Sequence, residues 1–156
     1  MADQVGTRLR RAGAKTECVS LWIGYSMGYI DPNYPETRGF HQQMKLPLTN
    51  ASKELTEALL ILFDRHYHFQ DVRNIGVNCS KLSFTNALQL NLFQEPEEQL
   101  NNFKLDFVVD TIHKKYGFKS IVHAHSYTPG SRAIARSTLV GGHAGGQSGI
   151  ESDPHG

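Results

Sequence analysis

At 156 residues the chain is long enough for one domain of ordinary size with a short appendage, and too short for a large multidomain enzyme. Hydrophobic residues at 39%, charged residues at 20% and a mean hydropathy of -0.40 are globular in character; the longest apolar runs, Ala58 to Phe63 and Phe107 to Val109, fall far short of the roughly 20 residues a membrane-spanning helix needs. Sixteen Lys and Arg against fifteen Asp and Glu leave a net charge of +1, so any basic surface has to come from arrangement rather than total.

The opening MADQVGTRLRR puts charge where a secretory signal needs an apolar stretch. Cys18 and Cys79 are too few for a disulfide framework or a four-cysteine zinc site, and read as reduced thiols in a cytoplasmic chain. Val5, Leu9 and Ala12 mark one face of a helix through residues 2 to 12, with Gly13 placed to cap it. Residues 17 to 26 alternate: Val19, Leu21, Ile23 and Tyr25 face one way, and Cys18, Ser20, Trp22, Gly24 and Ser26 the other, which is a half-buried strand. The Gly-, Pro- and Asp-rich MGYIDPNYPET is a hairpin-type loop. Phe40, Gln42, Met44 and Leu46 then alternate with His41, Gln43 and Lys45 in a second strand.

Thr49 or Asn50 is placed to cap a helix in which Leu55, Ala58, Leu59, Leu62, Phe63 and His66 follow the i, i+3, i+4 pattern to about Tyr67. In DVRNIGVNCSKLSF a third strand carries Ile75, Val77 and Cys79 on one face and Asn74, Gly76, Asn78 and Ser80 on the other. The order helix, strand, strand, helix, strand predicts an α+β, split βαβ unit of the ferredoxin-like type with its first strand missing. In the ferredoxin-like order that strand lies between residues 38 to 46 and residues 72 to 84. Its loss would leave the third strand either pairing in parallel with the second or standing as an unmet edge.

A linker, residues 85 to 95, separates this unit (1 to 84) from a helical appendage (96 to 127) with a stripe of Leu105, Val109, Ile112 and Tyr116. Lys114, Lys115 and Gly117 suit the end of that helix. FKSIVHAHSY reads as a short strand or turn. Seven of the fourteen glycines fall in the last 29 residues, and 128 to 156 read as a flexible tail.

Two features carry functional expectations. The open sheet face gathers Ser20, Trp22, Ser26, His41, Gln43, Lys45, Asn74, Asn78 and Ser80, with Arg38 and Arg73 at its margins. Small polar donors of this kind suit phosphate contacts that position a protein without reading bases. The competing reading is an ordinary solvated sheet face. Gln89-Leu90-Asn91-Leu92-Phe93, in the linker, suits docking of a short extended peptide into a partner's pocket, against packing on its own domain. The pairs His66/His68 and His123/His125 lack a third metal ligand and read as solvated or core histidines. GGHAGG lacks the strand and Lys-Ser/Thr of a phosphate loop, and neither cysteine has a base positioned beside it.

RNIGVNCSKLSF (Arg73 to Phe84), followed five residues later by QLNLF, strongly resembles the C-terminal region of Y-family DNA polymerases of the UmuC-like (ImpB/MucB/SamB) kind. TECVSLWIGYS, DPNYPETRGF and DTIHKKYGFKSI are similar to the same subfamily, so the resemblance covers about residues 1 to 127. It implies a little finger domain, incomplete at its N-terminus, whose sheet grips template-primer or damaged DNA by the backbone in lesion bypass and the SOS response. It also implies that Gln89, Leu90, Leu92 and Phe93 contact the bacterial sliding clamp. The family's palm, with acidic residues holding two magnesium ions, lies N-terminal to this region. The strands here supply only Glu17 and, at a margin, Asp71, so no catalytic residue, metal site or cofactor is expected in this chain. It reads as a C-terminal fragment without polymerase activity of its own, and a separate palm-containing chain is a further partner the resemblance allows. The alternatives are a stand-alone clamp-binding protein that competes with other polymerases, and a gene remnant without function.

Overall fold

The computed structural model describes residues 1–26, 38–85 and 95–137. The chain divides into two compact units, Met1–Gln99 and Leu100–Gly156.

The first unit is α+β. Helix α1 (Ala2–Arg11) leads into strand β1 (Lys15–Tyr25), followed by β2 (Gly39–Thr49), helix α2 (Ser52–His66) and β3 (Val72–Ser83). Gly13, at φ +64°, ends α1 as its sequence position predicts. Its N–H donates to the Arg10 carbonyl at 3.0 Å and the Ala14 N–H to the Leu9 carbonyl at 2.8 Å, the paired bonds of a Schellman ending.

The three strands run in the order β2-β1-β3, with β1 antiparallel to both neighbours. The outer strands are therefore parallel to each other and joined through α2, a split βαβ in which β1 is the inserted strand. This corrects the ferredoxin-like order expected above. There is no gap at the centre: β3 pairs with β1 from Lys15↔Ser83 to Tyr25↔Val72 and does not pair with β2. The side chains of β1 explain why it takes the middle. Val19, Leu21, Ile23 and Tyr25 are buried beneath the helices, and on the other face Cys18, Ser20 and Gly24 are small enough to be covered by the flanking strands. The strand at β2 carries exposed Gln42, Lys45 and Pro47 instead. Pro47, which has no N–H to donate, is tolerated only at an edge or a bulge, and it lies where Thr16↔Thr49 and Cys18↔Lys45 set five residues of β2 against three of β1.

α1 and α2 lie on one face of the sheet, where Leu9, Val19, Leu21, Ile23, Leu55, Ala58, Leu59 and Leu62 form the core. The helices are tied by Arg10, whose Nη1 donates to the Asn50 carbonyl at 2.8 Å and to Ser52 Oγ at 3.2 Å. Neither candidate residue occupies the N-cap of α2. Ala51 does, in an extended conformation and without a side-chain bond. Thr49, two positions before that cap, accepts from the Ala51 N–H at 3.0 Å through Oγ1, and Asn50 Nδ2 is drawn away to the Ala14 carbonyl at 3.1 Å.

Helix α3 (Pro96–Tyr116) begins in the first unit, where the Glu98 carboxylate pairs with Lys53 of α2. In the second unit α3 ends at Gly117, φ +84°, whose N–H donates to the His113 carbonyl at 2.9 Å. His113 Nε2 bonds the Ile121 carbonyl at 2.7 Å and its ring packs on Phe118 at 5.3 Å, folding the chain back after the helix. FKSIVHAHSY forms two 3-10 turns, Phe118–Ser120 and Ala124–Tyr127, rather than a strand. A single helical turn, α4 (Ala133–Arg136), falls within the stretch read as a tail. Of the predicted stripe on α3, Val109 and Ile112 are half-buried while Leu105 and Tyr116 are exposed. Among the described residues no helix is long and apolar enough to cross a membrane.

Candidate nucleic-acid interface

The sheet face away from the helices is ordered by strand register. Its rows are Gly39–Gly24–Asn74, His41–Trp22–Gly76, Gln43–Ser20–Asn78 and Lys45–Cys18–Ser80, each read across β2, β1 and β3. Neighbouring strands stand roughly 4.8 Å apart and alternate residues roughly 6.6 Å, so these twelve positions make a plate of roughly 10 by 20 Å. None of the twelve is a carboxylate. His41, Gln43 and Lys45 are exposed along one side, and Asn74, Asn78 and Ser80 along the other.

The central column is different. Cys18 and Ser20 are buried, and Ser20 Oγ lies 3.5 Å from the Asn78 carbonyl. Ser20 therefore sits under the face, between Gln43 and Asn78, and not on it. Only Trp22 rises from this column, with 48% of its surface exposed. Its six-membered ring lies against two glycines: a Cβ on Gly76 would stand 3.2 Å from Trp22 Cε3, and one on Gly24 3.4 Å from Cζ2. Alternation alone marks Trp22 as outward, but only the register reveals that its cross-strand partner is a glycine.

Both arginines stand at one end of the plate. Arg38 precedes β2, exposed, and its carbonyl accepts from the Tyr25 N–H at 2.9 Å. Arg73 is the extra residue of a bulge, since Gly24 pairs with Asn74 and Tyr25 with Val72; it is exposed and leaves the regular alternation. Gly39 makes this end possible. At φ +152° it brings β2 so close to β1 that a Cβ would lie 2.0 Å from the Ile23 carbonyl oxygen, a requirement sequence reasoning missed. At the other end Thr16, fully buried, donates to the carbonyls of Ser80 (2.6 Å) and Cys18 (2.9 Å). Ser26, half-buried beyond the end of β1, donates its N–H to the Asp71 carbonyl at 2.8 Å. Because β1 is paired on both sides, its amides are consumed by the ladders; donors to a ligand on this face are side chains.

The remaining candidates do not join this surface. Gln89, Leu90, Leu92 and Phe93 lie outside the described residues. His66 Nδ1 bonds the Leu62 carbonyl at 2.9 Å and its ring meets Phe40, whereas His68 and His123 are exposed. Among the described residues no three His, Cys, Asp or Glu side chains are grouped to hold a metal. Cys79 packs against the core on the opposite face, and burial pushes its thiol up, away from nucleophilic use.

Residues 1–92, which contain the whole sheet, match the impB/mucB/samB family C-terminal domain. Over 144 residues the chain is 34% identical to a Bacillus subtilis (strain 168) protein named for UV-damage repair, UvrX, and 34% identical to DNA polymerase IV 2 of the same organism. It is 32% identical to DNA polymerase IV 2 of Halalkalibacterium halodurans. Each match takes in 92% of this chain but 33% of the relative, so the chain spans about a third of the length of the curated relatives it matches.

Proposed function

The chain belongs to the impB/mucB/samB C-terminal domain family, and from that premise we propose that it is the DNA-holding, non-catalytic part of a Y-family translesion polymerase acting in DNA repair. The observation that carries the reading is the carboxylate-free face: within the matched residues, twelve positions of one sheet surface hold side-chain donors, a histidine and a lysine, with Arg38 and Arg73 at one end. Such a face lays polar hydrogens and positive charge against a sugar-phosphate backbone and has no acid to repel it. Lys45, Arg38 and Arg73 supply charge, while Gln43, Asn74, Asn78 and Ser80 supply neutral donors. Ser20 acts from beneath, holding the Asn78 strand in register. Nucleotidyl transfer, with its magnesium ions, belongs in this reading to a palm carried elsewhere, in the rest of a longer polymerase or in a separate chain.

Gln89, Leu90, Leu92 and Phe93 give the second contact, with the sliding clamp: two leucines and a phenylalanine as buried anchors and a glutamine to fix orientation. The pair of contacts suits a protein that works on DNA in the cytoplasm during lesion bypass and the SOS response. The test is binding of the full chain to labelled template-primer duplexes of unrelated sequence at low salt. Comparable affinity for all of them is expected. Failure to bind any, or strong preference for one sequence, overturns the reading.

A further inference from the structure

We propose, resting on the DNA-binding reading above, that Trp22 is a stacking platform for an unpaired nucleobase, so that the sheet face takes single-stranded DNA by base as well as by backbone. The geometry has three parts. First, the indole lies over Gly24 and Gly76, where a side chain on either residue would meet the ring at 3.4 or 3.2 Å. The ring therefore lies close to the backbone of two glycines, and 48% of the residue stays exposed to solvent. A glycine in mid-strand weakens the sheet and marks a place where something approaches closely; here Gly76 leaves room for the indole, which a Cβ would crowd at 3.2 Å.

Second, Trp22 is the one large apolar side chain among the twelve positions of this face. A protein partner's docking site needs an apolar patch around its anchor. Here the ring is surrounded by His41, Gln43, Asn74 and Asn78, which can bond the edge of a base stacked on it or the adjoining sugar-phosphate. Third, Lys45 on the same face, and Arg38 and Arg73 at its margin, give the charge that tracks a nucleic-acid backbone. Aromatic rings beside cationic grooves are how single strands are held without sequence preference. In an intact duplex every base is already stacked between its neighbours, so the exposed indole selects a base freed from pairing.

Trp22 is the only tryptophan of the chain, so tryptophan emission reports this ring alone. The experiment titrates the full chain with a single-stranded thymine oligonucleotide of about 12 nucleotides and, separately, with relaxed closed-circular duplex DNA, which offers neither ends nor unpaired bases. Strong quenching by the single strand and a much smaller change with the duplex are expected, with both binding in a mobility assay. Trp22→Ala should weaken single-strand binding by about ten- to a hundredfold and duplex binding by far less, while Trp22→Phe keeps most of the affinity. If Trp22→Ala does not fold, the titration of the unsubstituted chain and the Phe variant decide. Single-strand binding without a change in emission, or unchanged affinity in a folded Ala variant, would overturn the inference and leave the backbone-binding reading standing: the ring then only covers its glycines. Failure of both DNA forms to bind would overturn the two together.

Discussion

Removing one cation from the sheet face should change the salt dependence of DNA binding by a calculable amount. Arg38, Lys45 and Arg73 are exposed basic residues on or beside the plate. If each neutralises one phosphate, the slope of log affinity against log salt is about -2.7, or -0.9 per contact. Between 50 and 200 mM salt the affinity should then fall about 40-fold. Lys45→Ala removes one contact, bringing the slope to about -1.8 and the fall over the same range to about 12-fold. Because a phosphate contact carries no sequence information, the loss should be equal on unrelated duplexes. Fluorescence anisotropy with two labelled template-primer duplexes across that salt range measures both quantities. An unchanged slope in the Lys45 variant, or a loss confined to one of the two sequences, would refute the placement of DNA on this face.

Other outcomes follow from other parts of the molecule. Leu92→Ala with Phe93→Ala should abolish capture by the sliding clamp while DNA affinity and the far-ultraviolet circular dichroism stay as they were; loss of the fold instead would make the peptide packing material. Gly39→Ala should destabilise the first unit by about 1–3 kcal/mol, because φ +152° and a Cβ 2.0 Å from the Ile23 carbonyl force β2 away from β1; a thermal melt unchanged from wild type would contradict the close approach. A highly purified preparation should not extend a primer with magnesium and nucleotides, and persistent extension would show that the chain carries a catalytic centre.

What was legible in the sequence was local. The alternation of Val19, Leu21, Ile23 and Tyr25 gives β1 its core face, the spacing of Leu55, Leu59 and Leu62 gives α2, and Gly13 and Gly117 end their helices where a positive φ was expected. Strand order was not legible, because it depends on where the α2 crossover lands, and alternation is the same for a central strand as for an edge. The clue lay in the open face of β1, whose Cys18, Ser20 and Gly24 are small enough to be covered on both sides. That covering also buries Ser20, which looked equivalent to Ser80 on paper. Arg73 could not be placed by counting, since the bulge beside Tyr25 shifts it out of the two-residue period. Asn50 has the chemistry of a helix cap, but the Ala14 carbonyl competes for its side chain and wins.

The most direct measurement of where DNA sits is an amide and indole chemical-shift map of the isotope-labelled chain titrated with template-primer DNA. Perturbations should gather on His41, Gln43, Lys45, Asn74, Asn78, Ser80 and the Trp22 indole N–H, with Arg38 and Arg73 at one end, and spare the outer surfaces of α1 and α2. Perturbations centred on those helices, with the open sheet face unmoved at saturation, would contradict that placement.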